Sequence, residues 1–193
     1  MTIRLLVLAL LVLPASMSAQ QPAPAIVVLQ PDRVFDGESM RAGWIVVVRG
    51  ERIDAAGPAA STTVPAGART IALPGTTLMP GMIEGHSHLL LHPYNETSWN
   101  DQVLREPLAL RVARAVNHAR DTLMAGITTV RDLGTEGAAY ADVGLRQAIN
   151  EGIIPGPRML VAGPAMVVTG SYAPKGFAPE VTVPQGAEEA DGL

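Results

Sequence analysis

Leu78-Met79-Pro80-Gly81-Met82-Ile83-Glu84-Gly85-His86-Ser87-His88 is the stretch on which the reading of this chain turns. A Pro-Gly turn leads into a run of strand length, residues 82–88, that ends on two histidines one residue apart. Side chains two apart on a strand project from the same face. His86 and His88 are therefore expected to converge, with Ser87 turned away. Imidazole nitrogens hold zinc at about 2.0–2.1 Å, so one ion shared by both rings is the chemistry this spacing suits. A bare His-x-His pair is a weak motif that often serves a structural or solvated role. Its place at a strand end adds weight, because the sites of parallel barrels lie at the C-terminal ends of their strands.

The residues after this strand read as alternating helix and strand. Over residues 101–125, Leu104, Leu108, Val112, Val116, Ala119 and Leu123 recur at spacings of three and four, one face of a single long helix stopped by Gly126. Ile127-Thr128-Thr129-Val130 is a β-branched strand, residues 138–150 suit a second helix, and Arg158-Met159-Leu160-Val161-Ala162 is a third strand. This β-α-β-α-β order predicts parallel strands joined by crossover helices. Beyond Gly163 the chain is Pro/Gly-rich and reads as irregular.

The residues before the strand have a different style. Ile26 to Leu29, Trp44 to Val48, Arg52-Ile53, Thr70 to Leu73 and Thr76 to Met79 are short β-rich runs, with turns expected at Gly50-Glu51 and Pro74-Gly75. Further upstream, Arg4 precedes the apolar run Leu5 to Leu13, then Pro14 and the small residues Ala15, Ser16, Ser18 and Ala19. Residues 1–19 are thus expected to be a secretory signal cleaved after Ser18 or Ala19. The apolar run is far short of the roughly 20 residues a membrane span needs. The mature chain is expected to be exported, periplasmic or secreted.

Composition narrows the function classes. The chain of 193 residues has a net charge of −4, 48% hydrophobic residues and no cysteine. A disulfide scaffold, a thiolate zinc site and a cysteine nucleophile are excluded. No basic footprint points to nucleic acid as a partner. A GxGxxG motif, a Walker loop and a GxSxG elbow are all missing from the sequence.

The segment Leu78 to His88 resembles the amidohydrolase signature. Gly126-Ile127-Thr128-Thr129-Val130-Arg131-Asp132-Leu133-Gly134 resembles the second-strand segment of the imidazolonepropionase-like and Xaa-Pro dipeptidase-like branch. Gly156-Pro157-Arg158 leading into Met159 to Gly163 is similar to that branch's third strand, and Arg33-Val34-Phe35-Asp36-Gly37 to its N-terminal sandwich. Glu84 departs from the pattern, which more often has Asp there. The resemblance implies an α/β fold: a β-sandwich segment over residues 20–80, then the first three strands and two helices of a (β/α)8 TIM-type barrel over residues 81–193. It also implies one or two divalent ions, zinc in family terms, with His86 and His88 as the first two ligands. The later ligands are a lysine on strand four, two histidines and an aspartate. The only lysine here, Lys175, lies in a loop sequence, and no histidine follows His118. A full barrel takes about 250 residues, so residues 81–193 predict a truncated barrel, either a shortened gene product or a fragment of a longer enzyme.

Other residues carry two readings each. His92, in the loop after the first strand, either touches substrate or is a solvated loop histidine. Asp132 either orients a ligand histidine from behind or caps the following turn. Tyr94, Trp99 and Tyr172 either line a substrate pocket or pack their loops. His118, beside Arg111, Arg114 and Asp121, is expected on the surface. Asn95-Glu96-Thr97 matches a glycosylation sequon by pattern alone.

Two functions from different classes follow. One is a metal-dependent hydrolase of C–N bonds, acting through metal-activated water on a cyclic amide or a small peptide such as an Xaa-Pro dipeptide. Its general base and later ligands are not in this chain, so the chain alone is expected to be inactive. The other is a non-catalytic exported fragment that binds metal or a small ligand weakly.

Overall fold

The computed structural model describes residues 24–178 and 180–192. The expected signal, residues 1–19, lies outside the described residues. The chain divides into two compact units, one ending at Met79 and the other beginning at Pro80.

The first unit is one five-stranded sheet: β1 (Ile26–Phe35), β2 (Met40–Ala42), β3 (Trp44–Arg49), β4 (Arg52–Pro58) and β5 (Arg69–Leu78). β1 lies at its centre, antiparallel to β2 and β3 and parallel to β5. The pairs that β2 and β3 make with β1 lie on one register, and between the two strands the Gly43 N–H reaches the Asp32 carbonyl at 3.2 Å. Val28, Ile45 and Val47 are buried together, with Ile26, Ala55 and Ala68 packed around them. The hairpin between β1 and β2 turns on Asp36, whose Oδ1 accepts the N–H groups of Glu38 (2.9 Å) and Ser39 (2.8 Å). Its Oδ2 accepts Nε of Arg41 at 2.7 Å.

The described strands of this unit form a single sheet. One expectation changes here. Pro74-Gly75 does not reverse the chain, because β5 runs straight through it. Gly75 adopts φ 74, and the pairing of β1 with β5 slips between Pro31 and Arg33. The Gly75 N–H then donates to Oδ2 of Asp32 at 3.0 Å. A left-handed glycine here makes a bulge, which bends a strand and leaves it continuous.

The second unit begins with β6 (Met82–Ser87), followed by α1 (Trp99–Arg105), α2 (Leu108–Met124), β7 (Ile127–Asp132), α3 (Ala141–Asn150) and β8 (Arg158–Val161). β6, β7 and β8 are parallel neighbours in that order. α2 and α3 supply Ala115, Ala119 and Leu145 to a buried cluster with Val130 of β7 and Met159 of β8. Close approach is built in at Gly156, where a Cβ would stand 2.5 Å from Cδ1 of Ile149.

The single helix expected over residues 101–125 is two helices. Glu106 is extended (φ −85, ψ 119) and Pro107 follows at φ −66. A residue before proline is pushed out of the helical region, and proline, with no N–H to leave unpaired, suits a helix start. Apolar spacing alone ran across this break. Ser98 caps α1, its Oγ accepting the Asp101 N–H at 3.2 Å. The stretch after Gly163, expected to be irregular, contains one short parallel pair, β9 (Met166–Val167) with β10 (Glu188–Glu189). Among the described residues, no helix is long and apolar enough to cross a membrane.

Candidate metal centre

The end of β6 brings His86, and His88 just past it, to one place. Their Nε2 atoms are 3.2 Å apart and the rings meet edge to face with centroids 5.2 Å apart. Nitrogens bound to one tetrahedral zinc at about 2.0–2.1 Å stand roughly 3.3 Å from each other, so the observed separation fits two ligands of a single ion. The tautomer fits as well. Nδ1 of His88 lies 2.9 Å from the carbonyl oxygen of Gly134, which can only accept. Nδ1 therefore donates, leaving the lone pair on Nε2, the atom that faces His86. His86 is exposed, and its backbone N–H donates to Oε1 of Glu84 at 2.9 Å. The longer carboxylate at position 84 thus folds back on its own strand. Among the described residues there is no group of three or more His, Cys, Asp or Glu side chains able to hold a metal.

Asp132, at the end of β7, is fully buried. Its Oδ2 accepts the N–H of Leu89 at 2.9 Å, while Oδ1 has no partner among the described residues. The carboxylate fixes the backbone just after His88, and the ring itself is oriented by Gly134. Burial pushes the Asp132 pKa up to about 6, with the Leu89 N–H pulling the other way and the neighbouring Asp142 adding to the rise. Arg131 ties the strands together by donating from Nε to the Gly85 carbonyl at 2.8 Å.

Glu136 is the residue that sequence reasoning missed. It is buried, adopts φ 51, and its Oε1 lies 3.6 Å from Nδ1 of His88. Nε1 of Trp99 donates to its Oε2 at 2.9 Å, and the Tyr172 hydroxyl donates to its Oε1 at 3.2 Å. Trp99 and Tyr172 meet edge to face at 5.5 Å. With Tyr94 they line a cavity of about 270 Å³. Burial raises the pKa of both tyrosines, and the Glu136 charge raises them further. The only signal for Glu136 in the sequence is an acid between Gly134 and Gly137, just past a strand.

His92 and His118 are placed otherwise than expected. The His92 ring is buried and not solvated, with Nδ1 3.1 Å from Oε2 of Glu96 and Nε2 3.1 Å from Oε1 of Glu106. Glu106 also accepts from Arg114 at 2.7 Å. Burial pushes the Glu106 pKa up, but the hydrogen bonds from Arg114 and His92 outweigh it and leave the carboxyl below its ordinary value. His92 borders a groove of about 490 Å³ with His88, Tyr94 and His118, yet both its nitrogens are engaged. His118 is half-buried, its Nδ1 3.0 Å from the Leu89 carbonyl oxygen. Arg111, on the same helix, is buried and donates to the carbonyls of Leu90 (3.1 Å) and Thr135 (2.9 Å). Loop carbonyls recruit these two polar side chains inward.

Parallel strands, crossover helices and a convergent histidine pair at the end of the first strand define an α/β protein with its candidate site at the strands' C-terminal ends. The chain belongs to the amidohydrolase family, whose pattern matches residues 77–191, more than half of it. No curated protein matches the chain. Among solved structures it is similar to a prolidase complexed with N-methylphosphonate-L-proline: 29% identity, TM-score 0.70, covering 87% of this chain and 41% of that one. It is similar to phenylurea hydrolase B at 27% identity and TM-score 0.59, over 78% of this chain and 32% of that one. An Xaa-Pro dipeptidase with bound methionine shares the fold at 24% identity and TM-score 0.64, over 81% of this chain and 38% of that one. The chain thus spans about two fifths or less of the length of these structures.

Proposed function

We propose that this chain forms the first part of a metal-dependent hydrolase of C–N bonds in cyclic amides or small peptides. In this reading β6, β7 and β8 are the first three strands of a (β/α)8 barrel. His86 and His88 hold a divalent ion, zinc by its preference for imidazole in tetrahedral sites. The observation that carries the reading is the pair of Nε2 atoms 3.2 Å apart, one of them held in the ligand tautomer by Gly134. A bound ion in such a site lowers the pKa of water toward about 7 and polarises a carbonyl. The chain's own residues prepare the site. Gly134 turns the His88 ring, Asp132 fixes the backbone behind it, and Arg131 locks β7 to β6. The likeness to a prolidase supports a small peptide as substrate.

Two histidines make an incomplete zinc site, since such sites normally have three or four protein ligands. Taken by itself, the chain is expected to bind metal weakly and to be inactive. Zinc titration followed by the imidazole NMR signals tests the reading. His86 and His88 shift together, at micromolar or weaker affinity, and His86→Ala abolishes the shift at His88. A zinc response at His92 or His118 with none at the pair sinks the assignment. Export is proposed from the sequence of residues 1–19. The secreted or periplasmic product should begin after Ser18 or Ala19 by N-terminal sequencing.

A further inference from the structure

We infer that Glu136 is a positioning residue for the metal site: its carboxylate acts on the ion through the His88 ring and, through Trp99, ties the start of α1 to metal occupancy. This deepens the hydrolase reading and rests on it for the presence of a metal.

The backbone puts the carboxylate where it stands. Glu136 lies in the loop after β7 with φ 51, a left-handed conformation uncommon outside glycine. The chain is pinned on both sides of it. The Thr135 carbonyl accepts from Nη2 of Arg111 at 2.9 Å and from the Ala138 N–H at 3.1 Å. The Thr135 hydroxyl donates to the Ala139 carbonyl at 2.6 Å. A Cβ at Gly137 would stand 3.1 Å from the Gln185 carbonyl oxygen, so two segments pass closely there. A non-glycine residue held left-handed by its surroundings points to a role for its side chain. Gly134 keeps open the space in which that side chain meets the ring. A Cβ at Gly134 would stand 3.3 Å from Oε1 of Glu136 and 3.8 Å from Cε1 of His88.

Charge gives this placement its meaning. Glu136 is 2% exposed, and a buried carboxylate is costly unless donors and positive charge meet it. Its donors, the Trp99 N–H at 2.9 Å and the Tyr172 O–H at 3.2 Å, are neutral. Of its cationic neighbours, Arg111 is bonded to the carbonyls of Leu90 and Thr135. Nδ1 of His88 lies 3.6 Å from Oε1. That is too long for a hydrogen bond, and the Nδ1 proton already goes to the Gly134 carbonyl at 2.9 Å. Glu136 therefore acts on the ring by charge. With its Nε2 bound to a divalent ion, the imidazole gives up electron density and its Nδ1–H becomes more positive. The carboxylate favours that state, as acids behind ligand histidines do. The same attraction draws Oε1 toward the ring and alters the hold of Oε2 on the Trp99 N–H.

Zinc titration of the chain, followed by NMR at the His88 ring and at the Trp99 indole N–H, tests this, with the Trp44 indole as the reference. The Trp99 signal should move with the same midpoint as the His88 signal. Glu136→Gln keeps the size of the side chain and an acceptor for Trp99 but removes the charge. It should raise the zinc dissociation constant at His88 about tenfold and uncouple the Trp99 signal from zinc. A glutamate that only props the loop would leave the affinity of Glu136→Gln equal to that of the parent, and that result overturns the proposal. So does a Trp99 signal that ignores zinc while His86 and His88 respond, a measurement that needs no variant. Absence of any zinc response at the two histidines strikes the hydrolase reading and this role with it, so the two failures are told apart.

Discussion

Asp132 shows how much one carboxylate can do without touching a ligand. Replacing it with Ala removes the acceptor for a buried backbone N–H at Leu89, which costs about 1–3 kcal/mol. Asp132→Asn keeps an acceptor oxygen and should cost less. Paired denaturation curves check the order, and equal losses would remove the Leu89 bond as the cause. Asp36 makes the acid-side prediction. Two backbone N–H groups and Arg41 favour its charged form, with Ser39 the largest influence, and hold its pKa at about 2 against the ordinary 3.8. A group depressed in the folded state adds stability above its unfolded pKa and loses it as pH falls through the folded one. The contribution of Asp36 should be complete above about pH 4 and gone below about pH 2. Melting of Asp36→Asn across that range should show a flatter acid limb than the parent chain. At this scale the histidine pair was legible because strand alternation is a local rule. Glu136 was not, since its partners come from positions 99 and 172.

At the scale of elements, the loop between β6 and α1 is ordered by one buried amide. Oε1 of Gln102 accepts the His92 N–H at 3.0 Å, and its Nε2 donates to the carbonyls of His92 and Thr97, both at 2.9 Å. Gln102→Leu leaves these backbone groups without partners at a cost of about 1–3 kcal/mol. Hydrogen exchange should then accelerate at His92 and through the loop to Thr97, while amides in the middle of α2 keep their protection. Uniform acceleration over both would mean that Gln102 supports the whole unit. The helix break at Pro107 and the bulge at Gly75 belong to this scale too. Both residues stood in the sequence as signals. What they did depended on context: one proline separated two helices, and one Pro-Gly pair bent a strand that β1 continued to hold.

At the scale of the whole chain, the parallel sheet is open at both edges among the described residues. There β6 and β8 each pair on one side only, with Ile83 75% exposed and Leu160 55% exposed. Unpaired strand edges beside exposed apolar side chains favour association. Sedimentation of the isolated chain should show assembly that grows with concentration, and Ile83→Lys with Leu160→Lys should reduce it. A monomer with a sharp cooperative melt at every concentration would contradict this.

The sequence by itself determined the alternation of strand and helix in the second unit, the parallel sense of its sheet and the convergence of His86 with His88. Each of these follows from rules that act over a few residues: alternation on a strand, periodicity on a helix, and short connections between them. Only the tertiary structure decided that Gly134 sets the His88 tautomer, that Glu136 gathers Trp99 and Tyr172, and that His92, Arg111 and His118 turn inward. Those contacts join residues far apart in the chain, and a buried polar group goes wherever a partner stands, which no local pattern encodes.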